Sequence, residues 1–373
     1  MMKSRIILLL SIIFLGSYGC SENEEAGEEQ TQSDPDTEIP TETGEIYFPG
    51  TGTSTWETTS LDELGWNSQA ETALYQLLDE KNTKAFIILK DGKIAIEKYF
   101  GSFTTDSIWY WASAGKTLTS FTVGIAQEQG LLNLNEPSSK YLGEGWTSMT
   151  AEEEGEITIR NQLTMTSGLR NNLLIFSCTD PDCLKYEAEP GTRWSYHNGP
   201  YTLLQDVIAN AADTPFITYF NAQLRDKIGM NGIWIPNGDN NTFYSTARGM
   251  ARFGLLNLNN GIWNDETILG DASYLTEMKT KSQDLNESYG YLWWLNGQDS
   301  HMGTATQEIF SGELLPNAPA DTYAGLGKND QKLYVVPSEG LVIVRLGEDA
   351  GENQLGPSSF DNQLWERISA LIN

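Results

Sequence analysis

The distribution of hydrophobic and polar positions divides the 373-residue chain into three parts. An apolar run at residues 6–15 follows Lys3 and Arg5. Residues 21–46 then hold ten acidic residues, no basic ones and little that is apolar, so this segment cannot offset the entropy of ordering and is predicted to be a disordered tether. From residue 47 onward apolar residues recur at the spacings of helices and strands. This pattern predicts a folded region over 47–373 whose length suits one large domain or two interleaved ones.

Periodicity predicts that the two ends of this domain build one antiparallel sheet with flanking helices. The N-terminal end carries a helical pattern over residues 67–82 and a hairpin over 86–96. The C-terminal end carries strands at 332–336 and 341–346, joined by a short turn, and a helix over 361–372. Hairpins with turns this short pair their strands antiparallel.

Helical patterns dominate the region between these ends, roughly residues 113–285, with examples at 201–212 and 246–258. No internal repeat is apparent. The predicted fold class is therefore α+β: an antiparallel sheet flanked by N- and C-terminal helices, with a mostly helical region inserted.

Ser113 and Lys116, at the start of this inserted region, form a pair that can make a serine nucleophilic. Apolar residues at Leu118 and Ile125 predict a helix that opens with the pair and stops at Gly130. Residues three apart share a side of a helix, which would put the lysine amine beside the hydroxyl. The positive helix end would favour an alkoxide and disfavour the lysine proton, leaving the amine as a base. Such a spacing alone occurs about once by chance in a chain of this length and also fits a helix cap.

Tyr196 and Asn198 form a second candidate element downstream. Alternate residues of an extended segment share a face, so the phenol could share a proton with Lys116 while the amide holds a substrate carbonyl or orients the lysine. Glycine and proline turns flank the pair, as an active-site loop requires. A second Tyr-x-Asn, at 219–221, lies in what looks like an amphipathic helix and is predicted to be structural.

The order of these pieces resembles the serine β-lactamase and penicillin-recognising superfamily, specifically its class C-like branch. That branch includes β-lactamases, D-alanyl-D-alanine carboxypeptidases, esterases and 6-aminohexanoate-dimer hydrolases, and Ser-x-x-Lys is among the superfamily's motifs. Residues 163–169 resemble its Leu-Leu-x-His-Thr-Ser-Gly-Leu segment, with Met165 in the histidine place. Residues 289–294 and 331–337 resemble its late strands, so the resemblance covers roughly residues 60–373. It implies a β-lactamase/transpeptidase-like fold.

The family's third motif is altered in this chain. The family usually carries Lys-Thr-Gly or His-x-Gly beside the nucleophile, where this chain has Gly325 and Gly327, followed by Lys328. A substrate carboxylate without a charged partner loses about 1.5–3 kcal/mol. Lys328 lies three residues after Gly325, and on a strand an odd displacement points a side chain to the opposite face. Lys328 would therefore not reach a substrate carboxylate, so we expect poor β-lactam hydrolysis. Backbone N–H groups of Ser113 and Lys328 could still hold an oxyanion, and the glycines could equally let the strand pass close to its neighbour.

The resemblance implies acyl transfer: Lys116 and Tyr196 take the Ser113 proton, and the serine attacks a small-molecule ester, amide or peptide-like substrate. The residues predicted to contact that substrate are Asn198, Gly325, Gly327, Lys328, Trp111 and Trp194, although tryptophans are more often core residues than ligand contacts. Two alternatives stay open: a catalytically silent, penicillin-sensor-like binding module, and a true β-lactamase or D-alanyl-D-alanine carboxypeptidase. We expect a monomer that needs no cofactor.

Other chemistries find little support in the sequence. Two histidines, His197 and His301, argue against a multi-histidine metal site, so no metal is predicted. Gly-x-Ser-x-Gly is absent, which argues against an α/β-hydrolase triad. His197, inside the Tyr-x-Asn element, is predicted to be a wall of the pocket. A net charge of −28 opposes nucleic-acid binding.

The three cysteines fall in two settings. Cys178 and Cys183 frame four residues and are predicted to form a short disulfide outside the cytoplasm; free thiols are the alternative, and a zinc site lacks further local ligands. Cys20 follows Ser17-Tyr18-Gly19, which resembles a bacterial lipoprotein cleavage box except for the serine in the usual leucine place. The apolar run is too short to span a bilayer and fits a signal peptide.

We therefore predict a signal peptide over 1–19, a lipidated Cys20, and an acidic tether over 20–46. The protein would be exported and attached by its lipid to the outer membrane, facing the periplasm or the surface. Acidic residues directly after Cys20 resemble the surface-export signals of Bacteroidetes lipoproteins, and they fit a solvated spacer equally well.

Overall fold

The computed structural model describes residues 45–171, 176–351 and 356–373. The predicted signal peptide, Cys20 and the acidic tether up to residue 44 lie outside the described residues. The described helices are α1 (Glu71–Glu80), α2 (Lys116–Glu128), α3 (Ser139–Leu142), α4 (Ala151–Gly155), α5 (Ile159–Leu163), α6 (Asn198–Ala211), α7 (Phe216–Phe220), α8 (Ala247–Leu258), α9 (Ala272–Met278) and α10 (Ser359–Ile372). Among these described residues, no helix is both long enough and apolar enough to cross a bilayer.

The described strands are β1 (Thr83–Lys90), β2 (Lys93–Tyr99), β3 (Trp109–Tyr110), β4 (Ile233–Asn237), β5 (Asn240–Ser245), β6 (Ile262–Trp263), β7 (Glu266–Thr267), β8 (Trp294–Leu295), β9 (Ser300–Met302), β10 (Ile309–Ser311), β11 (Tyr323–Gly327), β12 (Gln331–Val336) and β13 (Leu341–Gly347). Six of them form one antiparallel sheet in the order β2-β1-β13-β12-β11-β8. A second sheet has the order β3-β5-β4.

Helices cover both faces of the six-stranded sheet. On β12, the Tyr334 ring packs edge-on against Trp365 of α10. The adjacent side chain, Leu333, packs close to Gly254 of α8: a Cβ added to this glycine would lie 2.9 Å from Leu333 Cδ1. Successive residues of a strand point to opposite faces, so α10 and α8 lie on opposite sides. The terminal helices α1 and α10 also contact each other. The predicted α+β architecture is confirmed, including the terminal hairpins and the helical region between them.

Strand β11 brings the sheet against a short 3₁₀ turn, Ala112–Gly115, that leads into α2. A Cβ added at Gly327 would lie 2.4 Å from the Trp111 carbonyl oxygen and 3.1 Å from the Ala114 nitrogen. A Cβ at Gly325 would lie 3.2 Å from Thr117 Cγ2, a methyl group. Only a residue without a side chain therefore lets the end of β11 approach the turn this closely.

We predict that Gly327→Ala lowers the free energy of unfolding by about 1–3 kcal/mol, because the new methyl group meets backbone atoms that cannot move without shifting the turn. Gly325→Ala is the matched control on the same strand and should cost clearly less, since its methyl group meets the tip of a side chain. Urea denaturation of the two variants measures the difference. Equal losses would show that the approach of β11 to the turn is not sterically limited at Gly327.

Candidate active site

Ser113 and Lys116 lie together, as their spacing predicts. Ser113 occupies the 3₁₀ turn and Lys116 is the first residue of α2. Lys116 Nζ lies 3.0 Å from Ser113 Oγ, within hydrogen-bond distance. Ala112, directly before the serine, has a φ of 48°, in the left-handed region that costs a side-chain-bearing residue energy. The surrounding packing thus holds the serine on a strained turn.

The Lys116 amine is almost completely removed from water. The residue is 3 % exposed, and burial lowers the pKa of its amine to about 7. Its Nζ lies 5.0 Å from the ring centre of Tyr196 and 4.3 Å from that of Tyr201. No carboxylate of the described residues pairs with it, so nothing restores the pKa that burial lowers. A substantial fraction of this lysine is therefore neutral at pH 7, which lets it accept a proton.

Tyr196 stands beside the pair and is fully buried. Its ring stacks between Phe176, at 6.1 Å, and Trp294, at 5.9 Å. Burial raises the pKa of its phenol well above 10, and a hydrogen bond with Ser113 acts in the opposite direction. The phenol consequently keeps its proton at neutral pH and can donate it, whereas the lysine can accept one.

Asn198 does not extend from the same strand-like segment as Tyr196, because it is the first residue of α6. It nevertheless lines the same cavity as Ser113. Its Nδ2 donates to Ser177 Oγ at 3.3 Å, and its Oδ1 is buried without a hydrogen-bond partner among the described residues. An unpaired buried acceptor is costly, so this oxygen is suited to an N–H or O–H of a ligand.

The prediction that His197 walls the pocket is wrong. The histidine is 1 % exposed and its Nδ1 accepts the Gly199 N–H at 3.1 Å, which caps α6. Its Nε2 lies 3.0 Å from the Arg170 carbonyl oxygen, the geometry of an N–H donor to that oxygen. Burial lowers the pKa of the ring to about 4, which keeps it neutral at pH 7. Its role in the described structure is a helix cap.

The second Tyr-x-Asn is structural, as predicted. Tyr219 lies in α7, is 6 % exposed, and donates its hydroxyl to Gln129 Oε1 at 2.9 Å. It does not line the cavity that contains Ser113.

A cavity of about 470 Å³ opens at the serine, a size typical of small-molecule sites. Its described lining includes two lysines and no aspartate or glutamate, in a chain with a net charge of −28. The residues that line it are Tyr110, Ala112, Ser113, Lys116, Phe176, Ser177, Asn198, Tyr201, Asn237, Asn240, Asn241, Thr242, Tyr244, Lys328 and Asn329. The site therefore presents amide, hydroxyl and aromatic groups with a positive local charge.

Two predicted substrate contacts, Trp111 and Trp194, are wrong on geometry. Trp111 is completely buried, donates its Nε1–H to Ser245 Oγ at 2.8 Å and packs on Phe243. Trp194 is 1 % exposed and packs behind Tyr196. Neither lines the cavity, because both fill the core behind the catalytic candidates. Tyr196 does not line the cavity either, but unlike the tryptophans it has a hydroxyl that is hydrogen-bonded to Ser113.

Gly325 and Gly327, also predicted to contact the substrate, do not line the cavity either. Both are buried against the segment from Trp111 to Thr117. They act as spacers that let β11 reach the nucleophile turn. This interpretation is compatible with an oxyanion role for the Ser113 and Lys328 N–H groups, as the sequence allowed.

Lys328 lines the cavity, contrary to the expectation that it points to the opposite face. Strand β11 ends at Gly327, and a 3₁₀ turn, Lys328–Asp330, follows, so the alternation of a strand does not reach the lysine. Arg345 Nη1 anchors this turn by donating to the carbonyl oxygens of Asn329, at 2.9 Å, and Asp330, at 3.0 Å. No acidic residue of the described chain forms an ion pair with Lys328, which is exposed.

Cys178 and Cys183 form the predicted disulfide in the structure. The bridge closes the loop that directly follows Phe176 and Ser177, two residues of the cavity wall. A Cβ at Gly199 would lie 2.3 Å from the Cys178 carbonyl oxygen, so the loop packs directly on the start of α6. The disulfide thereby constrains one rim of the cavity.

Sequence reasoning missed the wall formed by the three-stranded sheet. Tyr110 of β3 and Asn240, Thr242 and Tyr244 of β5 line the cavity. Residues 240, 242 and 244 share one face of β5. No signal in the sequence marks that face, because the strand reads Asn-Asn-Thr-Phe-Tyr-Ser without an alternation of polar and apolar residues. Across the described residues there is no group of three or more His, Cys, Asp or Glu side chains placed to hold a metal ion.

The model of a protein family described as beta-lactamase matches residues 76–364 of the chain. An uncharacterized protein of Alkalihalophilus pseudofirmus is 26% identical over 321 residues, and the match covers 75% of this chain and 89% of the relative. The D-alanyl-D-alanine-carboxypeptidase/endopeptidase AmpH of Escherichia coli is 29% identical over 139 residues, and the match covers 34% of this chain and 36% of that protein.

Among solved structures, a putative 6-aminohexanoate-dimer hydrolase from Bacillus anthracis superposes with a TM-score of 0.66 at 21% identity. The superposition covers 87% of this chain and 89% of that one, and it shows that the two share a fold. Because the family model matches most of the chain, the protein belongs to the beta-lactamase family of serine hydrolases.

Proposed function

We propose that the protein is an exported hydrolase that cleaves an ester or amide through an acyl-Ser113 intermediate. The observation that carries the proposal is the 3.0 Å approach of Ser113 Oγ to a buried amine whose pKa is about 7. An amine with this pKa is close to the optimum for a general base at neutral pH. A serine hydroxyl needs such a base before it can attack a carbonyl.

In the first half-reaction, neutral Lys116 accepts the proton of Ser113 Oγ as the oxygen bonds to the substrate carbonyl carbon. Backbone N–H groups of Ser113 and Lys328 are the candidates for stabilising the oxyanion. The bond to the leaving group then breaks, Tyr196 donates its phenolic proton to the departing alkoxide or amine, and Lys116 returns a proton to the phenol.

In the second half-reaction, water attacks the acyl-Ser113 carbonyl. Lys116 accepts a proton from that water, the carbonyl carbon–Oγ bond breaks, and the serine regains its proton while the acid departs. Tyr196 is better suited to donating than to accepting, since burial raises the pKa of its phenol. Lys116 is therefore the base and Tyr196 the proton relay.

A silent binding module is the less favoured alternative. Burying a lysine amine without a carboxylate partner destabilises the folded state, and so does the strained turn at Ser113. A domain that only binds a ligand has no physical need for either feature. The names of the E. coli relative and the B. anthracis structure denote hydrolases, which supports the enzymatic proposal.

We predict that Ser113→Ala and Lys116→Ala each lower kcat/KM for any accepted ester by three orders of magnitude or more, on the order of the losses known for nucleophile and base. The double variant should lose little beyond either single one, because the two groups act as a unit. A panel of short-chain esters, linear amides and nitrocefin measures turnover. Lys279→Ala is the control, since this partly buried lysine contacts Tyr323 outside the cavity.

The enzymatic proposal fails if Ser113→Ala retains wild-type turnover, or if a fluorophosphonate probe leaves Ser113 unlabelled in the wild type. Near wild-type turnover by Lys116→Ala would remove the proposed base and leave the nucleophile assignment intact.

A carboxylate-bearing substrate is the second candidate, and the position of Lys328 favours it. Because the Lys328 ammonium lies at the cavity and pairs with no acidic residue among the described ones, the sequence-based expectation of poor binding to carboxylates loses its geometric basis. We predict that the wild type prefers substrates with a free carboxylate beside the scissile bond over their methyl esters by about tenfold, a modest value because the lysine is exposed. Lys328→Gln should abolish the preference.

Paired kcat/KM values for acid and methyl ester measure this preference. Lys140→Gln, which removes an exposed lysine paired with Glu136, is the control and should leave it unchanged. A wild type that turns over the neutral ester as fast as the acid would contradict the role of Lys328 and restore the expectation of a neutral substrate.

Export and lipid attachment remain part of the proposal. The support is the sequence: a short apolar run after two basic residues, a lipobox-like segment and an acidic stretch after Cys20. Full-length protein in a Gram-negative host should incorporate labelled palmitate, and Cys20→Ser should abolish incorporation while leaving activity unchanged. Cleavage at a site other than Cys20, without incorporation of lipid, would show that residues 1–19 are only a secretory signal.

A further inference from the structure

The three-stranded sheet has one core face and one open face. The pairs Trp234–Phe243 and Ile233–Tyr244 are successive rows of β4 and β5, so they point to opposite sides. Trp234 and Phe243 are buried and pack on Phe220. The open face therefore carries Ile233 and Tyr244.

The open face continues across all three strands. Tyr110 of β3 pairs with Tyr244, which pairs in turn with Ile233, and the next row pairs Thr242 with Ile235. Side chains in one row stand about 4.5–5.5 Å apart at Cβ. The two tyrosine ring centres are 6.1 Å apart. Tyr110, Tyr244 and Thr242 line the cavity at Ser113, whereas Ile233 and Ile235 are 52 % and 37 % exposed on the edge strand.

A surface of two tyrosine rings, Thr242 and two isoleucines thus leads from the cavity at Ser113 to the edge strand β4. Two strand spacings separate β3 from β4, about 10 Å in all. An extended aliphatic chain with C–C bonds of about 1.5 Å advances about 1.25 Å per bond, so a chain of about eight to nine carbons spans that distance. We infer that Ile233 and Ile235, reached over Tyr110 and Tyr244, form a subsite for a medium-length aliphatic acyl chain of the substrate.

The acyl group suits this surface better than the leaving group does. The acyl group becomes bonded to Ser113 Oγ, and Tyr110 precedes that serine by three residues on the same segment. The leaving group must meet the proton donor, Tyr196, which lies between Phe176 and Trp294. The acyl chain and the leaving group point away from each other at the carbonyl carbon. If the leaving group lies toward Tyr196, the acyl chain therefore lies toward the three-stranded sheet.

A peptide strand added to the edge of β4 fits the surface less well. Pro236 lies in β4 and has no N–H for a ladder, a feature that edge strands use against such pairing. The described lining of the cavity holds no carboxylate whose desolvation beside an aliphatic chain would cost free energy, and the polar groups at its β4–β5 side are the neutral amides of Asn237, Asn240 and Asn241. Exposed isoleucines that adjoin a catalytic cavity are instead the composition expected of an apolar subsite.

This inference rests on the proposed acyl-Ser113 chemistry, and p-nitrophenyl esters from acetyl to decanoyl test it. In the wild type, kcat/KM should rise from acetyl to octanoyl and level off beyond. The double variant Ile233→Thr/Ile235→Thr keeps β-branched side chains on the strand and removes apolar surface. It should lose about tenfold for octanoyl, the range known for small apolar pocket changes, and stay within about twofold for acetyl.

Ile262→Thr is the matched control, because it removes a strand isoleucine of similar exposure from the separate two-stranded sheet of β6 and β7, which shares no row with β3, β4 or β5. It should leave the ratio of octanoyl to acetyl turnover unchanged. An unchanged ratio in the double variant, or a flat chain-length profile in the wild type, would overturn the acyl subsite while serine-dependent turnover of the acetyl ester still supports the proposed function. If no ester is hydrolysed and Ser113 resists fluorophosphonates with ethyl and octyl groups alike, the proposed function fails and the subsite falls with it.

Discussion

The burial of Lys116 beside Ser113 is the constraint on which the rest of the site depends. The Lys116 amine is buried and has no carboxylate partner among the described residues, so it loses much of its affinity for a proton and its pKa falls to about 7. The same burial raises the pKa of the Tyr196 phenol next to it, because desolvation disfavours whichever form is charged. The same buried environment therefore makes Lys116 a proton acceptor and Tyr196 a proton donor, and both side chains lie next to the Ser113 hydroxyl.

The scaffold holds this environment from two sides. The end of β11 presses on the turn of Ser113 through Gly327, where a side chain would collide with the Trp111 carbonyl. Beyond that strand, Lys332 is completely buried and pairs with Asp330 at 3.1 Å and Asp361 at 2.8 Å. These pairs tie the turn that carries Lys328 to the C-terminal helix, which connects the rim of the cavity to the far end of the chain.

Sequence patterns predicted what depends on short range. The contact of Ser113 with Lys116 follows from three residues of helical geometry, and the terminal hairpins follow from their short turns. The wall of Tyr110 and Tyr244 could not be predicted in this way, because 134 residues separate the partners and only the folded sheet aligns them. Trp111 was misassigned because an aromatic residue near a nucleophile has the same sequence signature in a core as in a pocket. The direction of the Lys328 side chain could not be predicted, because the residue at which β11 ends is set by tertiary contacts and not by the local sequence.

The rate at which a fluorophosphonate labels Ser113, measured from pH 5 to pH 9, tests the central claim most directly. Because burial lowers the pKa of Lys116, the amine is protonated and inactive below about pH 7 and becomes a free base above it. The labelling rate should therefore rise with pH through an apparent pKa of about 7 and then level off. A rate that stays flat across this range, or that begins to rise only toward the ordinary pKa of a lysine near pH 10, would show that Lys116 is not the base.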